Sequence, residues 1–173
     1  MTKKRIVLIS TGGTIEKTYD ELAGVLSNRI SVLDIMLAGL QLQGVSIIRV
    51  PLMNKDSLEM TPEDHQLIAR MAEGMSETHD GVVIVHGTDR LAVTGETCHQ
   101  LIRHPRVPVV LTGALRPYEL RNTDAVQNLT EALIAVQVLP PGVYAVLHNQ
   151  VLQFPGVVKD RDQNRFVKLD SDD

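Results

Sequence analysis

The sequence predicts a single α/β domain, doubly wound around a mainly parallel sheet of roughly five strands. Three observations carry this. Ile6-Val7-Leu8-Ile9, Val82-Val83-Ile84-Val85 and Val143-Tyr144-Ala145-Val146-Leu147 are continuous apolar runs rich in β-branched residues. That is the pattern of strands buried on both faces. Segments with helical periodicity alternate with those runs. The intervals between strands are long enough for crossovers, which in one sheet are right-handed.

The elements come in a regular order. Residues 5–11 form the first strand, and a long connection, Glu16 to Val25, comes after it. Loops of that size over a strand end often act as lids. Ser31 can cap a helix through Leu40 whose apolar face includes Val32, Leu33, Met36 and Leu37. Val45 to Val50 is the second strand. Thr61-Pro62-Glu63-Asp64 starts the next helix, with a capping hydroxyl, proline at the first helical position and acids at the positive end of the dipole. Residues 81–86 form the third strand, a helix near Leu91–Ile102 comes next, and Val107 to Thr112 is the fourth strand with Pro108 at its start. Asp124 caps a helix bearing Val126, Leu129, Leu133 and Val136, and Gly142 to Leu147 is the fifth strand. Gln150-Val151-Leu152-Gln153 returns beside it as an edge pairing. Residues 1–159 make the domain. Residues 160–173 are charged and weakly patterned, which predicts a mobile tail or an oligomer contact.

Composition narrows the function classes. With 43% apolar and 22% charged residues, the 173-residue chain can bury a proper core. A formal charge of −4 with scattered Arg and Lys argues against nucleic acid, which needs a clustered basic patch. Lys3-Lys4-Arg5 precedes an apolar run that ends at Ser10, too short for a secretory h-region. No segment approaches the roughly 18 apolar residues of a membrane span. Cys98 is the only cysteine, so no intramolecular disulfide forms and a cytoplasmic setting is expected. Cys98 reads as a packing residue. The histidines and acids show no metal spacing, so neither a metal nor another cofactor is expected.

Two strand ends carry the chemical signal. After the first strand, Gly12 and Gly13 allow a sharp turn and close backbone approach to a ligand, and Thr14 presents a hydroxyl. After the third strand, His86-Gly87-Thr88-Asp89 repeats the arrangement and adds a carboxylate. Open α/β sheets bind ligands beyond the carboxyl ends of their strands. Asn54-Lys55-Asp56-Ser57, after the second strand, offers Asp56 and Ser57 to the same crevice. Threonine is a poor nucleophile until a base or relay takes its proton. Tyr19, Asp89 and Lys159 are the candidates, and His86 reads as a packing or turn-bonding residue.

These blocks resemble the bacterial-type L-asparaginases, or asparaginase/glutaminases. Thr11-Gly12-Gly13-Thr14-Ile15 is similar to the family's first signature and His86-Gly87-Thr88-Asp89 to its second. Asp56-Ser57 with Met60 resembles the loop that holds the substrate α-carboxylate. Thr112-Gly113-Ala114-Leu115-Arg116-Pro117, with Asp124, Asn128 and Leu129, resembles the next block of the family. The resemblance runs from about residue 5 to 159. It implies Thr14 as nucleophile, a Thr88–Lys159–Asp89 relay and Tyr19 as the tyrosine of a lid. It implies that Gly13, Asp56, Ser57, Gly87, Thr88 and Asp89 bind L-asparagine, with backbone N–H groups at the glycine turns holding the oxyanion. Family members usually carry a second α/β domain that lends an acidic residue, and this sequence ends before one could form. A homo-oligomer, dimer or tetramer, is therefore expected, with the lid acids Glu16, Asp20 and Glu21 and the tail acids Asp160, Asp162, Asp170, Asp172 and Asp173 available as replacements. Arg90 and Leu58 depart from the family pattern, standing where smaller or polar residues are usual. Three rival readings are an amidotransferase-type subunit, a non-catalytic amino-acid-binding module and a flavodoxin-like nucleotide binder. The last lacks its G-x-G-x-x-G turn.

Overall fold

A computed structural model describes residues 2–27 and 32–169. The buried runs become parallel strands: β1 (Lys4–Gly12), β5 (Gly81–Val85), β6 (Pro108–Thr112) and β7 (Gly142–Leu147), with β4 (Val45–Lys55) on one edge. The anticipated return at β8 (Gln150–Gln153) is a sixth strand, antiparallel to β7 on the other edge. The sheet order is β4-β1-β5-β6-β7-β8. Along the chain, the five parallel strands therefore lie in the order 2-1-3-4-5, which reverses direction between β1 and β5. Ligands bind at such a reversal, outside the carboxyl ends of the two strands.

Alternation along the strands builds two cores. Ile6, Leu8, Val83 and Val85 face α1 (Leu33–Ala38) and α4 (Ala125–Val138). Val7, Ile9, Val82 and Ile84 face α2 (Pro62–Ser76) and α3 (Leu91–Leu101). Burying each such side chain contributes about 1.5–3 kcal/mol, which is why the runs Ile6–Ile9 and Val82–Val85 bear no polar residue. Cys98 lies in the second core, where burial pushes its thiol up to about 12 and leaves it inert.

The start of α2 is as the sequence predicts: Thr61 and Asp64 form a reciprocal capping box with Pro62 in the first turn. α1 is shorter than expected, and Ser31, its expected cap, lies outside the described residues. β4 runs five residues beyond the predicted end at Val50. It pairs with β1 through a register shift between Ser10 and Gly12, and its edge position tolerates Pro51.

Two expectations are corrected, and the lid candidate takes a defined form. The long connection after β1 is a short hairpin of β2 (Thr18–Asp20) and β3 (Val25–Ser27), preceded by a 3-10 turn over Thr14–Glu16. The charged segment after residue 160 is not a free tail through Lys168: β10 (Arg165–Lys168) pairs antiparallel with β9 (Val157–Asp160). Phe166 is the reason, since it is buried in the second core and contributes about 2–3 kcal/mol there. Asp124 occupies the N-cap position of α4 but makes no side-chain cap; the Thr123 hydroxyl accepts from Ala125 N at 3.0 Å instead.

Candidate active site

Four strand ends meet at the β1/β5 reversal, and small residues let them meet. Gly12 and Gly13 turn with φ +96° and +85°, a region that L side chains rarely enter. A Cβ on Gly13 would lie 2.5 Å from Gly87 N and 2.6 Å from Gly87 Cα. A Cβ on Gly87 would lie 2.5 Å from Ser57 Oγ, and one on Gly113 would lie 2.2 Å from His86 O. The turns after β1, β4, β5 and β6 are therefore in close contact. The extension of β4 brings the second of them in: Gly13 N donates to Lys55 O at 3.1 Å, which sets Asp56 and Ser57 beside the turn.

Thr14 is half-buried at the start of the 3-10 turn, and its carbonyl accepts from Lys17 N at 3.1 Å. Ser57 is buried beside Gly87. The Asp56 carboxylate accepts from Leu58 N at 3.0 Å and from Lys17 Nζ at 2.9 Å. The Lys17 bond and the Leu58 amide hold that carboxyl below the usual carboxylate range. Nothing in the sequence singles out Lys17, because its partner lies 39 residues away.

Thr88, Asp89 and Lys159 come together as the sequence reading expects. Lys159 Nζ donates to Thr88 Oγ1 at 2.9 Å and to Asp89 Oδ1 at 2.8 Å. The Lys159 side chain is only 10% exposed, that of Asp89 is 39% exposed, and Thr88 is buried. β9 positions the lysine, and Phe166 on β10 pairs directly opposite it. A hydroxyl bonded to a buried ammonium, itself paired with a carboxylate, is a short path along which a proton can move.

Tyr19 is not joined to this cluster. It is 57% exposed on the β2–β3 hairpin, and its phenol makes no hydrogen bond among the described residues. The hairpin is tied down through the backbone, since Tyr19 N donates to Glu119 Oε2 at 2.8 Å.

Two networks lie behind the cluster. Asp124 accepts from Leu115 N at 3.0 Å, Arg116 N at 2.9 Å, Asn128 Nδ2 at 3.0 Å and His148 Nε2 at 2.6 Å. Burial pushes its carboxyl up, but the backbone N–H of Leu115, then His148 and Arg116, outweigh that and hold it low. Asn128 Nδ2 also donates to Gly113 O at 2.8 Å, so Asp124 and Asn128 brace the turn after β6. On the other face His86 is fully buried, and burial pushes its imidazole down to about 4. Among the described residues no cluster of His, Cys, Asp or Glu could hold a metal ion. No helix among them is long and apolar enough to cross a membrane.

The fold and this cluster define an open α/β domain with a threonine-bearing site at its topological reversal. The chain belongs to the asparaginase family: residues 5–166 match the family model described as asparaginase, N-terminal. It is 35% identical over 150 residues to the L-asparaginase of Thermococcus kodakarensis, covering 86% of this chain and 45% of the relative. It is 33% identical over 138 residues to a glutamyl-tRNA(Gln) amidotransferase subunit of Methanobrevibacter smithii, covering 79% of this chain and 31% of the relative. The solved thermostable L-asparaginase from Thermococcus kodakarensis superposes with a TM-score of 0.86 at 33% identity. That match covers 95% of this chain and 51% of the solved one. The chain thus spans less than half the length of the two relatives and about half that of the solved chain.

Proposed function

We propose that this strand-end cluster is an amidohydrolase site and that it hydrolyses L-asparagine to L-aspartate and ammonia. The observation that carries the reading is the Lys159 ammonium, 2.9 Å from the Thr88 hydroxyl and 2.8 Å from the Asp89 carboxylate, at the reversal where Gly13 meets Gly87. Thr14 Oγ attacks the side-chain amide carbon; its proton passes to the leaving nitrogen, which departs as ammonia. Water then attacks the resulting ester, releasing aspartate and restoring the Thr14 hydroxyl. Backbone N–H groups at the two glycine turns stabilise the oxyanion of each step. Thr88, Lys159 and Asp89 carry the proton, Asp89 also binds the substrate ammonium, and Asp56 and Ser57 hold its α-carboxylate. Tyr19 belongs to this reading as the lid residue: it must move inward from its exposed position when substrate binds. Asparagine is preferred over glutamine, because an extra methylene moves the amide carbon out of line with Thr14.

The likeness to amidotransferase subunits supports a second reading, in which the same amide chemistry serves a larger assembly. In the first reading the protein is cytoplasmic, free of nucleic acid and membrane contact, and homo-oligomeric. The exposed Ile134, Val138 and Val151 line one apolar hollow of about 370 Å³ that supports self-association. The deciding experiment is ammonia release from L-asparagine, L-glutamine and D-asparagine by the chain and its Thr14→Ala variant, run beside sedimentation at assay concentration. Release from L-asparagine that Thr14→Ala abolishes supports the reading. Binding of the amino acid without release makes the domain a binding module.

A further inference from the structure

The proposed chemistry leaves His65, His86 and Thr94 unused, yet all three are buried and bonded in series. Thr94 Oγ1, in the first turn of α3, lies 2.7 Å from His86 Nε2 and 2.7 Å from His65 Nδ1 on α2. His86 Nδ1 lies 2.8 Å from Gly87 O. The two rings are 6.2 Å apart with planes 23° from parallel, so one hydroxyl bridges both.

Proton counting gives this series one direction. A carbonyl only accepts, so His86 Nδ1 carries a hydrogen and donates to Gly87 O. His86 is fully enclosed and stays neutral, so its Nε2 carries none and accepts from the Thr94 hydroxyl. That hydroxyl has a single hydrogen and has now used it. It must therefore accept from His65 Nδ1. The series runs from His65 through Thr94 to His86 and ends on Gly87 O.

Gly87 O is one side of the peptide that leads into Thr88, so fixing the oxygen also fixes an amide of the site. The Gly87–Thr88 bond is trans, and Thr88 N–H therefore points opposite to Gly87 O. With that oxygen held by His86 Nδ1, the Thr88 amide is turned away from the imidazole, on the residue whose hydroxyl Lys159 contacts. We propose that His65, Thr94 and His86 are positioning residues that lock the tautomer of His86 and thereby the plane of the Gly87–Thr88 peptide. The part of this proposal that concerns turnover rests on the amidohydrolase reading above; the tautomer does not.

The test uses the full chain. Long-range ¹H–¹⁵N spectra of the imidazoles should show His86 and His65 in the wild type each protonated at Nδ1. His86 protonated at Nε2 would overturn the proposal with no variant needed. Thr94→Val keeps the shape and removes the bridge, while Thr94→Ser keeps the hydroxyl. In Thr94→Val the His86 tautomer and the Thr88 amide shift should both change. Its kcat on L-asparagine should drop at least about tenfold with KM within about twofold. Thr94→Ser should return all three toward wild type. An unchanged Thr88 amide in a folded Thr94→Val protein refutes the positioning role. If the wild type releases no ammonia, the amidohydrolase reading fails, and the tautomer and amide shifts still decide the series.

Discussion

Replacing Lys159 by methionine separates chemistry from stability more cleanly than any other change at the site. The ammonium lies 2.9 Å from Thr88 Oγ1 and 2.8 Å from Asp89 Oδ1, on a side chain that is only 10% exposed. Methionine keeps most of the stem's packing and removes the charge and the protons. Asp89 is 39% exposed, so water takes over its solvation and the lost ion pair costs less than about 1 kcal/mol. For a chain of this length that lowers Tm by no more than about 4 °C. Removing a proton-transfer group instead costs about 10²–10⁴ in rate. That is roughly 3–5 kcal/mol of barrier, several times the stability term. A coupled ammonia assay and a thermal melt on one preparation read both. Arginine adds a second discrimination, because it keeps the charge and cannot give up a proton in this range. Lys159→Arg should stay as slow as Lys159→Met. Methionine turnover within about threefold of wild type would remove Lys159 from the reaction. Recovery by arginine would reduce it to a fixed charge.

Thr14→Ala should lower kcat by several orders of magnitude with Tm nearly unchanged, since Thr14 is half-buried; substantial turnover in a clean preparation would take the nucleophile's role from it. Gly13→Ala should be destabilised by roughly 2–6 kcal/mol, from backbone strain at φ +85° plus overlap with Gly87, and a wild-type urea midpoint would contradict the close approach of the two turns. Stability should fall on acidification between about pH 6.5 and pH 4, because the unfolded chain protonates His86 first and the folded chain resists until about 4. From pH 7 to pH 5 this group alone removes about 2 kcal/mol. His65, lowered by burial and then by the Arg90 charge, acts in the same direction. Equal unfolding free energies at pH 7 and pH 5 would mean that His86 is not a buried neutral group.

Much of the frame is legible in the sequence because the physics that builds it is local. The strands β1, β5, β6 and β7 are apolar on both faces, and Thr61-Pro62-Glu63-Asp64 is a complete helix start within four residues. The features that escape depend on distant partners. β9 and β10 are four residues each and join across a polar turn, and Phe166 is the single strong signal in β10. The contacts of Asp124 come from Leu115, Arg116 and His148, which only the folded loop brings near, so a local reading finds a helix cap where the structure has a brace. His86 shows the same limit. A strand-end residue is expected to bond a turn, and His86 does bond Gly87 O, but no spacing in the chain points to His65 and Thr94 beyond it.

The site residues divide along the same line. Gly13, Gly87 and Thr88 stand out in the sequence because a buried strand that breaks into glycine and then a hydroxyl is unusual. Their proximity follows from topology, since the 2-1-3-4-5 order makes β1 and β5 neighbours. Once they are neighbours, each turn excludes side chains from the next: a Cβ on Gly13 strikes Gly87, one on Gly87 strikes Ser57, and one on Gly113 strikes His86 O. The turns therefore cannot shift one at a time. A displacement of the Gly87–Thr88 peptide must move Ser57 or Gly13 with it, and through Thr88 must stretch the bond to Lys159. This interlock lets a site made largely of backbone hold a geometry that loops alone would not. It also puts the burden of precision on the groups behind the turns: Asp124 and Asn128 under Gly113, and His65, Thr94 and His86 under Gly87.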